Sequence, residues 1–238
     1  RALVARYDVD GPRYTSYPTA PHFCDDIGES ALRRAILDSN EEPIPRDISA
    51  YVHLPFCLSP CFYCGCSRIV TRDRSRIGGY LARLYREIET VSTLFARGRY
   101  LAQLHFGGGT PNFLDADQLA ELIDALGRHF TFSRRADREF CVEIDPRFCD
   151  GAYARRIAEA GINRLSIGVQ DFDPDVQRAV NRVQSVEQTR EVMLAAREAG
   201  VRSINVDLIY GLPKQTAESF ARTLDAVIAL RPERIAAY

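Results

Sequence analysis

Glu139-Phe140-Cys141-Val142-Glu143-Ile144-Asp145 alternates, with Cys141, Glu143 and Asp145 set against Val142 and Ile144. A period of two predicts a strand with opposite faces, here one apolar and one polar. The pattern recurs. Residues 164–170 set Ser166, Gly168 and Gln170 against Leu165, Ile167 and Val169. Residues 203–209 set Ser203, Asn205 and Asp207 against Ile204, Val206 and Leu208. Upstream, residues 48–54 offer Tyr51 and His53 against Val52 and Leu54, and residues 103–107 offer Gln103, His105 and Gly107. A last strand is expected at 234–238. Helices are expected near 76–96, 115–129, 151–160, 186–199 and 216–230; Leu81, Leu84, Ile88 and Val91 mark one apolar stripe. Strands alternating with helices imply a parallel sheet with right-handed crossovers. Strands of such a sheet are normally apolar on both faces. The apolar sets here must meet the helices. The polar sets must face a lumen, because burying them unpaired would cost about 1–3 kcal/mol each. A closed eight-stranded barrel packs its interior with branched apolar side chains. The expected fold is therefore α/β: an open, partial (β/α)6 barrel over residues 48–238.

Residues 1–47 differ from the rest. Gly11-Pro12, Pro18, Pro21, Pro43 and Pro45 predict extended or turn backbone around one short helix near 30–39. With 46% apolar residues in 238, the chain can bury the core of one α/β domain plus this appendage. A net charge of −1 gives no reason to expect a nucleic-acid surface. No apolar run reaches membrane-span length, and the N-terminus lacks a signal-peptide pattern. The chain starts on Arg1 and ends on an expected strand, so it reads as trimmed at both ends.

Four of the seven cysteines fall within ten residues, as Cys57-x3-Cys61-x2-Cys64 followed by Cys66. Three thiolates on one short loop can hold three irons of a four-iron cluster and leave the fourth iron open. Structural zinc usually takes two paired hooks, and only one hook is present here. A disulfide framework is not expected from an odd count without a secretory signal. Cys24, Cys141 and Cys149 are scattered and read as buried structural thiols. Reduced thiols point to the cytoplasm.

The cysteine loop follows the first strand at its C-terminal end, where such folds place their sites. Gly107-Gly108-Gly109-Thr110-Pro111 follows the second strand. Its glycines let backbone N–H groups approach a ligand. It lacks the Lys-Ser/Thr of a phosphate loop and the G-x-G-x-x-G of a dinucleotide fold. It can be a tight strand–helix connection, but its place beside the cysteine loop favours a cofactor with an amino or carboxylate group. Glu143 can accept hydrogen bonds from hydroxyls, and Asp145 reads as a helix cap. Gln170 and Asp207 lie at or near the ends of later strands. Arg182 can fork onto a carboxylate or can be a solvated helix residue. His53 and His105 face the lumen, and His105 reads as a satisfied core histidine.

CxxxCxxC after one strand and GGGTP after the next resemble the radical S-adenosylmethionine enzymes. The likeness is closer to the family of oxygen-independent coproporphyrinogen III oxidases. It is carried by Gly11-Pro12-Arg13-Tyr14-Thr15-Ser16-Tyr17-Pro18-Thr19, Tyr51-Val52-His53-Leu54-Pro55-Phe56-Cys57, Gly65-Cys66, Gly168-Val169-Gln170-Asp171-Phe172 and Asn205 through Gln215. The resemblance implies a 4Fe–4S cluster on Cys57, Cys61 and Cys64, with S-adenosylmethionine on the open iron. It implies that Tyr51, Gly108 and Glu143 contact that molecule. It further implies that Tyr63, Gly109, Thr110, Gln170, Arg182 and Asp207 hold a second one. The family often has phenylalanine at the position of Tyr63. Cys66 and His53 are the catalytic candidates.

The implied reaction is oxidative decarboxylation of two propionates of coproporphyrinogen III to vinyls, through a 5′-deoxyadenosyl radical, in haem biosynthesis. The implied partners are that substrate and an electron donor such as flavodoxin or ferredoxin, with no nucleic acid, no membrane span and a monomeric chain. Residues 1–47 would cover the barrel mouth, with Arg13 as an anchor for substrate carboxylates. The family's C-terminal cap domain would lie beyond Tyr238 and is absent from this fragment. A haem-handling chaperone or haem-degrading relative is the alternative. The chaperones share the barrel and cysteine loop but lack the Cys66 thiol and the Arg13–Thr19 segment. A zinc-bound interaction module is the non-enzymatic alternative.

Overall fold

A computed structural model describes residues 6, 22–24, 27–44 and 46–238. In chain order the elements are α1 (Glu29–Asn40), β1 (Ile48–Leu54), β2 (Phe56–Cys57), β3 (Ile69–Val70), α2 (Arg76–Ser92), β4 (Tyr100–Gly108), α3 (Ala116–His129), β5 (Thr131–Phe132), β6 (Glu139–Ile144), α4 (Gly151–Glu159), β7 (Arg164–Gln170), α5 (Pro174–Ala179), α6 (Val186–Glu198), β8 (Ser203–Leu208), α7 (Ala217–Ala229) and β9 (Arg234–Ala237). The main sheet runs β1-β4-β6-β7-β8-β9, every pair parallel. β1 and β9 are the two ends of that order, so the barrel is open. The six expected strands are joined by a seventh: β5 pairs with the start of β4. A two-residue strand carries no readable period, which is why the alternation does not reveal it.

The helix starts are set by local chemistry. Asp115 and Gln118 form a capping box at α3, as do Ser185 and Gln188 at α6 and Thr216 and Ser219 at α7. α2 stops at Ser92 rather than near 96, because residues 93–99 turn back to feed β4. The apolar strand faces pack under the helices. Leu54, Phe106, Val142, Ile167 and Val206 are fully buried against Leu119, Leu122 and their neighbours in one continuous core. Each such side chain contributes about 1.5–3 kcal/mol through burial. The polar faces stay half-buried along the lumen, as the alternation requires.

α1 buries none of its residues. It is pinned by its last turn, where Asn40 Nδ2 donates to Leu94 O at 2.8 Å and Asn40 Oδ1 accepts from Ala96 N at 3.1 Å. That anchor lies beside the N-terminal end of β4, opposite the strand ends that carry the cysteine and glycine loops. Arg13 and the 13–19 segment lie outside the described residues. Cys24 is exposed and not the buried structural thiol the sequence suggests, because the described residues around it join no core; Cys141 and Cys149 are half-buried. Among the described residues, no helix is long and apolar enough to cross a membrane.

Candidate active site

The site is built where β1 and β4 end side by side. β2 pairs with β3, with Ile69 N donating to Pro55 O at 2.7 Å and Thr71 N to Cys57 O at 2.9 Å. This ribbon closes the loop that carries Cys61, Cys64 and Cys66. The glycine loop lies directly against it: Gly109 N donates to Leu54 O at 2.9 Å and Thr110 N to Phe56 O at 2.8 Å. A Cβ on Gly109 would fall 2.6 Å from Pro55 O, so the two backbones can meet this closely only at glycine. Gly108 has φ +118°, and a Cβ there would sit 2.7 Å from the His53 ring. The far side of the cysteine loop is tied by Asn181. Its backbone is left-handed (φ 56°), and its Nδ2 donates to Pro60 O at 2.7 Å.

Charge gathers around the sulfurs. Thr110 Oγ1 donates to Cys57 Sγ at 3.3 Å. Arg147 Nη2 and Arg182 Nη1 each approach Cys61 Sγ at 3.5 Å. Asp145 lies between the two guanidiniums, 2.7 Å from Arg147 and 3.0 Å from Arg182. Burial opposes ionisation of Asp145, but Arg182 and Arg147 outweigh it and hold the carboxyl below its usual range. Two cations facing one carboxylate leave an excess positive charge beside Cys61 Sγ. Burial raises the Cys57 thiol despite the Thr110 bond, so ligation there releases a proton. Burial and contact with Cys64 push Cys66 up to about 11, so it stays a thiol at neutral pH.

Among the described residues, no three His, Cys, Asp or Glu side chains converge on a point that one metal ion could occupy. The thiolates of a cluster each bind a different iron and need no such convergence. Donors aimed at the sulfurs and guanidinium charge beside Cys61 suit a cluster ligated by thiolates.

Cys57, Cys61, Cys64, Cys66, Tyr63, Gly108, Gly109, Thr110, Glu143, Gln170, Arg182 and Asp207 all line one cleft. Tyr51 and His53 do not line it. Tyr51 lines a neighbouring lumen cavity and stacks on His105, with centroids 5.8 Å apart. Its hydroxyl lies 3.2 Å from His53 Nδ1, and His53 Nε2 lies 3.0 Å from Ser67 O.

At the strand ends, Asp207 accepts from Ser166 Oγ at 2.9 Å and Asn205 Nδ2 at 2.8 Å. Burial raises its carboxyl nonetheless. Glu143 Oε1 lies 2.9 Å from His105 Nε2. Contacts with Cys141 and Glu143 push His105 up to about 10. Gln170 adopts φ 68° where the pairing of β7 with β8 shifts register, a strained conformation of about 1–3 kcal/mol of the kind that clusters at working sites.

Two sequence readings change. Arg182 is buried and follows α5, so it is not a solvated helix residue. His105 has its partner but lines the lumen cavity rather than a core. Arg147 and Asn181 were not singled out. Arg147 sits in a 3-10 turn over Pro146–Phe148 and Asn181 in a left-handed turn, where no periodicity reports side-chain direction.

The Radical SAM superfamily model matches residues 51–227. The oxygen-independent coproporphyrinogen III oxidase of Pseudomonas aeruginosa is 51% identical over 236 residues, covering 99% of this chain and 51% of the relative. That of Escherichia coli is 47% identical over 237 residues, covering 100% of this chain and 50% of the relative. The chain thus spans about half the length of the curated relatives it matches. The solved structure of coproporphyrinogen III oxidase from Escherichia coli, a radical SAM enzyme, matches with a TM-score of 0.88 at 44% identity, over 100% of this chain and 52% of that one. A radical S-adenosylmethionine methyltransferase from Kitasatospora setae, at 18% identity and a TM-score of 0.56 over 79% of this chain and 35% of that one, shares the fold alone. The family implies a 4Fe–4S cluster and S-adenosyl-L-methionine as cofactors. The family match covers both the cysteine loop and the open parallel barrel that displays it, and this chain belongs to the Radical SAM superfamily.

Proposed function

We propose that this chain is the cofactor-binding barrel of an enzyme that oxidatively decarboxylates two propionates of coproporphyrinogen III to vinyls, in haem biosynthesis. One observation carries the reading. The cysteine loop, the glycine loop and the carboxylates of Glu143 and Asp207 share one cleft at the strand C-terminal ends, in a chain 51% identical to an oxidase of that name.

Cys57, Cys61 and Cys64 would hold the 4Fe–4S cluster. Gly108, Glu143 and Tyr51 would contact one molecule of S-adenosyl-L-methionine. Gly109, Thr110, Tyr63, Gln170, Arg182 and Asp207 would hold a second molecule. Arg182 is already engaged by Asp145 and by Gly168 O, at 3.2 Å, so it would exchange one of these partners for the ligand. When bound, the two cofactors together supply a 5′-deoxyadenosyl radical; the chain's residues aim the substrate and exclude water and oxidants. Cys66 holds a proton at its sulfur beside the cleft, and His53 is fixed between Tyr51 and Ser67. Cys66 would be the thiol that moves hydrogen in the cleft; His53, which lies outside the cleft lining, would act only through Tyr51 or Ser67.

The electron would come from a donor such as flavodoxin or ferredoxin, and the protein would act as a cytoplasmic monomer. The test is anaerobic incubation of the natural full-length protein with coproporphyrinogen III, a low-potential reductant and S-adenosyl-L-methionine. Vinyl products and CO2 are expected. Release of 5′-deoxyadenosine while the porphyrinogen stays unchanged would overturn the substrate assignment.

A further inference from the structure

Arg147 lies against the cysteine loop, and the proposed function leaves it without a task. Its guanidinium is only 11% exposed and every nitrogen is committed. Nε donates to Asp145 Oδ1 at 3.0 Å, Nη2 to Asp145 Oδ2 at 2.7 Å, and Nη1 to Asn181 O at 3.1 Å. The plane rests on the Phe148 ring, 5.1 Å from its centroid. Held this way, Nη2 faces Cys61 Sγ at 3.5 Å. Asn181 and Asp145 are therefore partners of the guanidinium, while Cys61 is what it is aimed at. The same Asn181 carries the cysteine loop through Pro60 O. One side chain thus joins the backbone that shapes the loop to the sulfur of its central thiol.

We propose that Arg147 is a positioning residue that holds Cys61 and raises the reduction potential of the cluster this loop carries. The proposal rests on the cofactor reading above. The physics is one of charge. Reduction adds one electron, from dithionite in the test below, and no bond forms or breaks. The added negative charge spreads over irons and sulfurs. A fixed cation and a hydrogen bond at one ligand sulfur favour the more negative state, because contacts beyond the ligands tune a metal centre. Burial keeps water from screening that cation. Arg182 faces the same sulfur, but it is also bound to Gly168 O and is assigned to a ligand that would draw it away. Arg147 has no such second duty, so its charge stays on Cys61 whether or not the cleft is filled.

The experiment is a dithionite titration of the anaerobically reconstituted natural protein, followed by cluster absorbance and electron paramagnetic resonance, with iron per chain measured alongside. Arg147→Met removes charge and donor together. It is expected to shift the reduction equilibrium about tenfold toward the oxidised form, about 59 mV for one electron. Arg147→Lys keeps the charge but cannot reach Asp145 and Cys61 with one fork, and a smaller drop of the same sign is expected. An unchanged or higher midpoint in Arg147→Met with full iron content overturns the proposal. If Arg147→Met holds no iron, Arg147→Lys decides by the same criterion. A reconstituted wild-type protein without an iron–sulfur cluster overturns the cofactor reading, and this proposal with it. A normal wild-type cluster beside unshifted variants overturns this proposal alone.

Discussion

Asp145→Asn tests whether the charge cluster beside Cys61 holds the site together. The substitution keeps the shape and removes one negative charge from between two buried guanidiniums. Asp145 accepts from Arg147 Nε and Nη2, Arg182 Nη1 and the backbone N of Arg147. Breaking a buried ion pair by removing one partner costs about 3–5 kcal/mol, because the other charge stays buried. Here each guanidinium keeps one carbonyl, Gly168 O for Arg182 and Asn181 O for Arg147. Those remaining acceptors place the loss at the lower end, about 3 kcal/mol. The internal control is Asp175→Asn, which breaks the Asp175–Arg178 pair, whose side chains are 74% and 64% exposed. That pair is worth about 0–1 kcal/mol.

Urea unfolding of the cluster-free protein reads both variants on one scale. The sign with pH follows from the lowered carboxyl of Asp145. Its contribution is present above its ordinary value of 3.8 and is lost as pH falls through its lower folded value. Asp145→Asn should therefore lose its penalty at strongly acidic pH. A loss at neutral pH no larger than that of Asp175→Asn would refute the assignment of Asp145 as the charge that holds two cations in place.

Gly109→Ala drives a Cβ to 2.6 Å from Pro55 O and 2.8 Å from Phe56 O, both backbone atoms that cannot step aside. It should cost about 1–3 kcal/mol in thermal unfolding and lower iron per chain, whereas Gly65→Ala, which meets nothing within 4 Å, should do neither. His105→Gln should lower stability at neutral pH and converge with wild type in alkali. The wild-type contribution is complete below about 6.5, fades above it and is gone as pH passes about 10. Both side chains of that pair are about two-fifths exposed, so urea unfolding across this range should show an effect of at most about 1 kcal/mol. Cys61→Ala should abolish cluster and turnover together. Cys66→Ala should keep its iron and impair turnover, and equal loss of iron in the two would end the distinction between ligand and catalytic thiol.

The parts of the site that ride on strands were legible because a strand has a direction. Period-two alternation told that Glu143, Gln170 and Asp207 face inward, and the cleft contains all three. The same alternation flagged Ser166 and Asn205, which prove to hold Asp207. The parts that ride on turns were not. Arg147 follows a proline in a 3-10 turn and Asn181 turns left-handed, so each side chain points where local dihedrals send it. Arg182 looked solvated because nothing in its neighbourhood of sequence reveals that Asp145 lies 3.0 Å away. Burial of a charge depends on partners that are distant along the chain, and spacing cannot report them.

The division has a chemical consequence. The residues visible from alternation are those that bring side-chain oxygens to the cleft. Arg147, hidden in a turn, lies 3.5 Å from Cys61 Sγ. A reading from strands alone can therefore name a cofactor pocket, but it misses that cation.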